Sequence, residues 1–125
     1  MHGSSSVPQE WLAIINKFAG NIPDTYGLPL EQIQEGIRND VRTVNINTDL
    51  RLASTGATRR FLEQNPSEFD PRKFLAETTK AMTDICVARY EVFNTVGNAS
   101  KIKPLNLETM FDHYQASRLN TINKQ

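Results

Sequence analysis

The chain has 125 residues, 38% of them hydrophobic, and its 14 basic and 14 acidic side chains give a formal net charge of zero. A neutral chain offers no electrostatic reason to expect nucleic acid or an anionic membrane as a partner. No apolar run approaches the ~20 residues that a membrane span needs, and no secretory signal is visible. The single cysteine, Cys86, excludes an internal disulfide and suits a reducing compartment, so we expect a cytoplasmic protein.

The chain opens with a run of small polar residues, His2-Gly3-Ser4-Ser5-Ser6, before a predicted helix from Pro8 to Phe18. Glycine and serine can expose consecutive backbone N–H groups, and a helix start behind such a loop favours anions. Ser6 and Gln9 have the spacing of a capping box. Taken alone, the run predicts either a phosphate-binding loop or a simple helix cap.

A loop punctuated by Pro23, Gly27 and Pro29 comes next, followed by a predicted helix over 30–39. The segment Val41–Asp49 is rich in β-branched residues and predicts a short, buried strand. Its carboxyl end turns polar, and Thr48 or Asp49 can cap the helix that follows. Strand ends of this kind are where α/β folds place their ligands.

Three more helices are predicted after the strand. The first covers 49–64 and presents a face of small residues, which indicates close packing against a neighbour. Asp70 and Pro71 have the N-cap and N1 pattern for a long helix that reaches Val96, with Gly97 as its end. The last helix is predicted over 107–118.

One strand among five helices cannot satisfy its own edges, since buried N–H and C=O groups without partners are costly. The strand therefore needs partners that these residues do not supply. The pattern predicts a piece of a larger α/β protein.

The chain resembles the C-terminal third of a class II, metal-dependent fructose-bisphosphate aldolase. The resemblance rests on four segments in order: His2–Ser6, Val44–Ala53, Asn65–Leu75 and Ala99–Pro104. It implies part of a (β/α)8 TIM barrel, from the end of strand seven to helix eight, within 1–66. Residues 67–125 would form a helical C-terminal extension, so this chain itself would be mostly α.

The resemblance also implies the site residues. His2 would be the last of three histidines that bind zinc, with a monovalent cation as an additional candidate, and the metal would polarise the substrate ketone. The expected substrate-binding residues are Gly3, Ser5, Asn45, Asn47, Thr48, Arg51 and Arg72. Gly3 and Ser5 would hold a phosphate. Arg51 is equally well explained as a surface charge, and Arg72 would reach a phosphate across a subunit interface.

Asn47 departs from the family pattern, which has aspartate at this position. Asparagine keeps the shape but loses the charge and gains two donors, so a role in accepting a hydroxyl proton would be weakened or redirected. The catalytic aspartate and the other two zinc histidines of the family have no match among these residues.

The resemblance implies part of a zinc-dependent aldehyde-lyase that cleaves fructose 1,6-bisphosphate into dihydroxyacetone phosphate and glyceraldehyde 3-phosphate. The family serves glycolysis, gluconeogenesis and the Calvin cycle, and a homodimer or homotetramer is expected. One alternative is an aldolase for a related ketose such as tagatose bisphosphate. Another is a complete, non-catalytic helical module that binds an aldolase subunit. The isolated chain is expected to be inactive, because it carries one zinc ligand where catalytic zinc usually has three.

Overall fold

The computed structural model describes residues 1–116, and these residues are mostly helical. The α-helices are α1 (Gln9–Lys17), α2 (Leu30–Arg38), α3 (Thr48–Gln64), α4 (Pro71–Val92) and α5 (Leu107–Gln115), with a 3-10 turn at Ala99–Lys101. The chain divides into two compact units, Met1–Thr95 and the part from Val96 onward. No helix of the described residues is long and apolar enough to cross a membrane. The predicted end of the last helix at residue 118 lies outside the described residues.

The core of the first unit lies where α3 packs against both α1 and α4. Val7, Leu12, Ile15 and Leu52 form one buried cluster, and Ala53, Ala57 and Ala81 form a second. The small face of α3 allows this close approach: a Cβ on Gly56 would lie 2.7 Å from the Trp11 ring. The predicted tight packing of α3 is confirmed.

The start of α4 follows local sequence signals, whereas its end does not. Asp70 is the N-cap, and its side chain accepts a hydrogen bond from the backbone N–H of Arg72, as predicted. The predicted end at Val96 and Gly97 is wrong. Asn94 adopts a left-handed conformation (φ +57°), and the N–H groups of Asn94 and Thr95 bond back to Glu91 and Tyr90. This is a Schellman end, formed by asparagine instead of glycine.

The predicted buried strand at 41–49 is also corrected. The segment before α3 is extended but has no strand assigned among the described residues, and Val41, Val44 and Ile46 are only half-buried. The segment is not a strand here because a buried strand needs hydrogen-bonding neighbours along both edges. One edge meets Met1, whose ammonium group donates to Thr43 O (2.7 Å) while Met1 O accepts from Asn45 N (3.2 Å). These two bonds have the slanted pattern of a parallel pair.

Candidate functional site

The N-terminal loop, residues 2–7, lies beside the end of the extended segment and the start of α3. Ser4 is fully buried, and its hydroxyl donates to Asn45 O at 2.8 Å. Ser5 Oγ accepts from the N–H groups of Asn47 (3.4 Å) and Thr48 (3.2 Å). The loop and the first turn of α3 are therefore joined through serine side chains.

This geometry corrects both predicted caps. Ser6 and Gln9 do not form a capping box, because the Gln9 amide donates to Val7 O and Thr25 O instead. Neither Thr48 nor Asp49 caps α3; its N-cap is Asn47, whose side chain makes no capping bond. The hydroxyl of Ser5, more than forty residues earlier in the chain, supplies that acceptor.

His2 is exposed at the open side of the loop. Its Nδ1 lies 3.0 Å from the side-chain nitrogen of Asn45. With the Asn45 amide donating, Nδ1 is the acceptor and the ring proton is on Nε2. The predicted metal ligand and one predicted substrate contact are thus direct neighbours.

The loop has two differently engaged sets of backbone N–H groups. Those of Ser6 and Val7 donate to the Asp49 carboxylate, at 3.2 Å and 2.9 Å. Those of Gly3, Ser4 and Ser5 have no acceptor among the described residues. The protein's own carboxylate therefore occupies the N–H groups just before α1, and the loop N–H groups without an acceptor within residues 1–116 are those of Gly3, Ser4 and Ser5.

The remaining predicted contacts of α3 lie on the same side of the molecule. Asn47, Thr48 and Arg51 are exposed, and the Arg51 guanidinium makes no ion pair among the described residues. Arg51 is one helical turn after Thr48, whose N–H bonds to the loop. The structure thus brings His2, Gly3, Ser5, Asn45, Asn47 and Thr48 together, with Arg51 adjacent.

Arg72 is not part of this group. Its exposed guanidinium pairs with Asp70 at 2.6 Å, which raises the pKa of Arg72 and lowers that of Asp70 through their hydrogen bonds. Arg72 precedes Arg89 by 17 residues on α4, or about 25 Å at the α-helical rise, and Arg89 is the residue of α4 that touches the loop. Arg72 therefore cannot reach the loop of its own chain.

The comparison with known families is decisive for the class of protein. The model of the family "Fructose-bisphosphate aldolase class-II" matches residues 1–98. The chain belongs to this family.

Relatives support the assignment over almost the whole chain. A fructose-bisphosphate aldolase of Pseudomonas aeruginosa is 68% identical over 119 residues, which is 95% of this chain and 34% of that protein. One from Stutzerimonas stutzeri is 67% identical with the same coverage, and one from Nostoc sp. is 54% identical over 99% of this chain. The chain spans about a third of the length of these aldolases.

Sequence reasoning missed the buried ion pair behind the loop. Arg89 Nη2 donates to Asp49 Oδ2 at 3.0 Å, and the two side chains are 11% and 0% exposed. Burial by itself raises the pKa of Asp49, but the hydrogen bonds from Val7, Arg89 and Ser6 together hold that pKa below its ordinary value. The available signal in the sequence was the position of Arg89 four residues after Ile85, which places a cation on the inner face of α4.

The described residues form no complete metal site by themselves. No group of three His, Cys, Asp or Glu side chains is close enough to hold an ion among them. His2 fits a shared site, because its ring is exposed and its Nδ1 is held by a neutral amide that can be released. The other ligands of such a site would have to come from outside residues 1–116.

Proposed function

We propose that this chain is the C-terminal part of a class II aldolase that reversibly cleaves fructose 1,6-bisphosphate to dihydroxyacetone phosphate and glyceraldehyde 3-phosphate. One observation carries the proposal: a histidine, a set of unpaired loop N–H groups and the polar residues before α3 converge at one place in a chain of this family. The names of the relatives favour fructose over tagatose bisphosphate. They also favour an enzyme part over a non-catalytic module.

The loop is suited to the phosphate of the dihydroxyacetone phosphate half. The N–H groups of Gly3 and Ser5 are free to donate, and Gly3 has a left-handed backbone (φ +66°) with no atom within 4 Å of an added Cβ. Backbone donors of this kind bind phosphate without a side-chain charge. Arg51 would add a cation, and Asn45, Asn47 and Thr48 would contact the sugar carbons and hydroxyls.

His2 would be one of three zinc ligands, and a monovalent cation could accompany the zinc. When bound, zinc would polarise the ketone oxygen of the substrate. Asn45 would release the imidazole when the metal binds, because zinc at Nδ1 would take the lone pair that accepts from the Asn45 amide. The two other ligands and the proton donor would come from the remaining two-thirds of the family length.

The proposal also assigns the residues of this chain to parts of the whole aldolase fold. Residues 1–66 would close a TIM barrel, with Met1 at the end of strand seven and Val41–Ile46 as strand eight, and residues 67–125 would be the helical extension. The parallel hydrogen bonds between Met1 and the segment around Val44 support this arrangement. The enzyme would be a cytoplasmic homodimer or homotetramer.

A fusion tests the proposal. The N-terminal two-thirds of the Pseudomonas aeruginosa aldolase, joined to residues 1–125, should bind zinc and cleave fructose bisphosphate, whereas the isolated 125-residue chain should not. His2→Ala in the fusion should lower activity by more than the roughly 10–100-fold that outer-shell changes cause, together with a loss of bound zinc.

Ser67→Ala, in the exposed turn after α3, is the control and should retain both zinc and activity. Preferred cleavage of tagatose bisphosphate would support the related ketose instead. A folded, zinc-loaded fusion that cleaves neither sugar would contradict the proposal.

A further inference from the structure

The conformation of the N-terminal loop is not one that its own sequence favours. Val7 has a left-handed backbone (φ +52°), which a β-branched residue rarely adopts. Such strain persists only where the surroundings impose it. Val7 is buried, and its N–H is held by Asp49 Oδ1 at 2.9 Å. The restraint on the loop at Val7 therefore comes from the Asp49 carboxylate.

Asp49 is in turn held from α4. Arg89 Nη2 donates to Asp49 Oδ2 at 3.0 Å and to Ser6 Oγ at 2.7 Å, and Ser6 Oγ donates to Asp49 Oδ2 at 2.9 Å. The three side chains form a closed triangle behind the loop. Any movement of the carboxylate would release Ser6 and Val7 together.

The triangle is not explained by stability alone. Buried ion pairs often contribute less than an apolar pair of the same volume would. Arg89 also keeps its Nε buried with no hydrogen-bond partner among the described residues, which is a further cost. A cation maintained at this cost is better explained by what it does for the loop.

The positive charge of Arg89 has a second effect, on the approach of an anion to the loop. A bare buried carboxylate behind the Gly3–Ser5 donors would repel an incoming phosphate, because Coulomb interactions are strong in a poorly solvated site. Arg89 offsets that charge while leaving the donors of Gly3, Ser4 and Ser5 unused. The carboxylate can then restrain the loop without repelling an anion from it.

We propose that Asp49 and Arg89 are positioning residues for phosphate binding: they hold the N-terminal loop so that the N–H groups of Gly3–Ser5 face the ligand. The inference rests on the proposed function, since it assigns the phosphate of the substrate to this loop. It adds a part to the site that contacts no substrate and that α4, far along the chain, supplies.

The first test is kinetic and uses the full-length enzyme. Arg89→Met and Asp49→Asn should each raise KM for fructose bisphosphate, and Ki for dihydroxyacetone phosphate, by about tenfold, which is the effect of losing one charged hydrogen bond. The value of kcat should change much less, because phosphate binding is uniform between ground and transition states. Arg89→Lys keeps the charge and should recover part of the loss. The double variant should lose less than the sum of the single changes.

Thr78→Val is the matched control. It removes another polar contact between α3 and α4, the 2.8 Å bond between the hydroxyls of Thr58 and Thr78, without touching the loop. It should lower Tm and leave KM unchanged. If Thr78→Val raises KM as much as Arg89→Met at equal stability, the effect is structural and the inference is overturned.

A second readout separates this inference from the aldolase assignment. Amide hydrogen exchange at Ser6 and Val7 should be slow in the parent protein, about tenfold faster or more in Arg89→Met, and unchanged in Thr78→Val. Inorganic phosphate should slow exchange at Gly3–Ser5 in the parent but not in Arg89→Met. A parent without aldolase activity that still shows these exchange changes would refute the proposed reaction and retain the positioning role. An active parent whose Arg89→Met variant keeps KM and loop exchange unchanged would overturn the positioning role alone.

Discussion

Two neighbouring positions at the start of α3 show how environment divides the roles of similar side chains. Asp49 is buried, accepts hydrogen bonds from Ser6 and Val7 and has a lowered pKa, so it acts on the protein itself. Asn47 is exposed at the N-cap and makes no capping bond with its side chain, so it is available to a ligand. The residue that is predicted to depart from the family pattern is therefore the one that faces outward.

Asn47→Asp in the full-length enzyme should raise kcat/KM by up to about tenfold, because an ionised acceptor adds about 1.5 kcal/mol to a hydrogen bond with a substrate hydroxyl. Steady-state kinetics with fructose bisphosphate measure the effect. A carboxylate at this helix start should also leave Tm equal or slightly higher.

Asn106→Asp is the matched control, since Asn106 is the N-cap of α5 and the chemical change is the same. It should leave kcat/KM at the parent value. An Asn47→Asp enzyme with unchanged or lower kcat/KM would show that the amide is compensated elsewhere or binds a different substrate.

At the scale of elements, the N-terminal loop is held from a second side by the segment before α2. Leu28 N donates to Ser5 O at 3.0 Å, and a Cβ on Gly27 would lie 2.2 Å from that same oxygen. This approach is too close for any residue with a side chain. The segment that the sequence predicts only as a loop is thus in direct contact with the N-terminal loop.

Gly27→Ala should therefore push the loop and the start of α2 apart. We expect a loss of about 1–3 kcal/mol in the free energy of unfolding, the usual range for overpacking, and a higher KM for fructose bisphosphate. Denaturant unfolding and kinetics measure the two effects.

Gly36→Ala provides the comparison, because Gly36 lies within α2 and an added Cβ would meet a methyl group of Val41, at 3.3 Å, instead of a backbone atom at 2.2 Å. Alanine there should be neutral or stabilising through its higher helix propensity. Equal stability of the Gly27→Ala and parent proteins would mean that the loop is not clamped at this point.

The elements that sequence predicts well are those fixed by their neighbours in the chain. Asp70 and Pro71 set the start of α4 through a side-chain bond two residues away, and the small face of α3 marks close packing directly. The failures involve partners far along the chain. Ser5 caps α3 from more than forty residues away. Ser6 bonds to Asp49 and Arg89 and not to Gln9, because tertiary contacts outweigh a local capping pattern. The β-branched run around Val44 is extended as expected, but strand pairing needs neighbours that residues 1–116 do not provide.

On the scale of the whole molecule, Arg72 is the predicted site residue that lies apart. It is about 25 Å along α4 from the contact with the loop, by the helical rise, and its ion pair with Asp70 is exposed. A role in binding a phosphate at this loop is therefore compatible only with the loop of another subunit. The predicted role of Arg72 in phosphate binding therefore requires the predicted oligomer.

Arg72→Ala should raise KM for fructose bisphosphate by about tenfold or more, since an arginine can give a phosphate two charged hydrogen bonds. Zinc content and kcat should stay near the parent values. Kinetics, metal analysis and sedimentation measure the three properties.

Arg42→Ala is the control, because Arg42 forms the same kind of exposed pair with an aspartate two residues earlier, Asp40. It should leave KM unchanged. A monomeric parent enzyme, or an Arg72→Ala enzyme with parental KM, would contradict a role across the interface.

The bond between Ser6 and Arg89 joins residues 83 positions apart. A ribosome adds about 5–20 residues per second, so the arginine is made roughly 4–17 s after the serine that it holds. Until then Asp49 has no cation beside it, and the strained turn at Val7 lacks its full restraint. The nascent polypeptide would therefore carry the loop sequence for several seconds before it can hold a phosphate, and ligand binding would begin only when α4 is nearly complete.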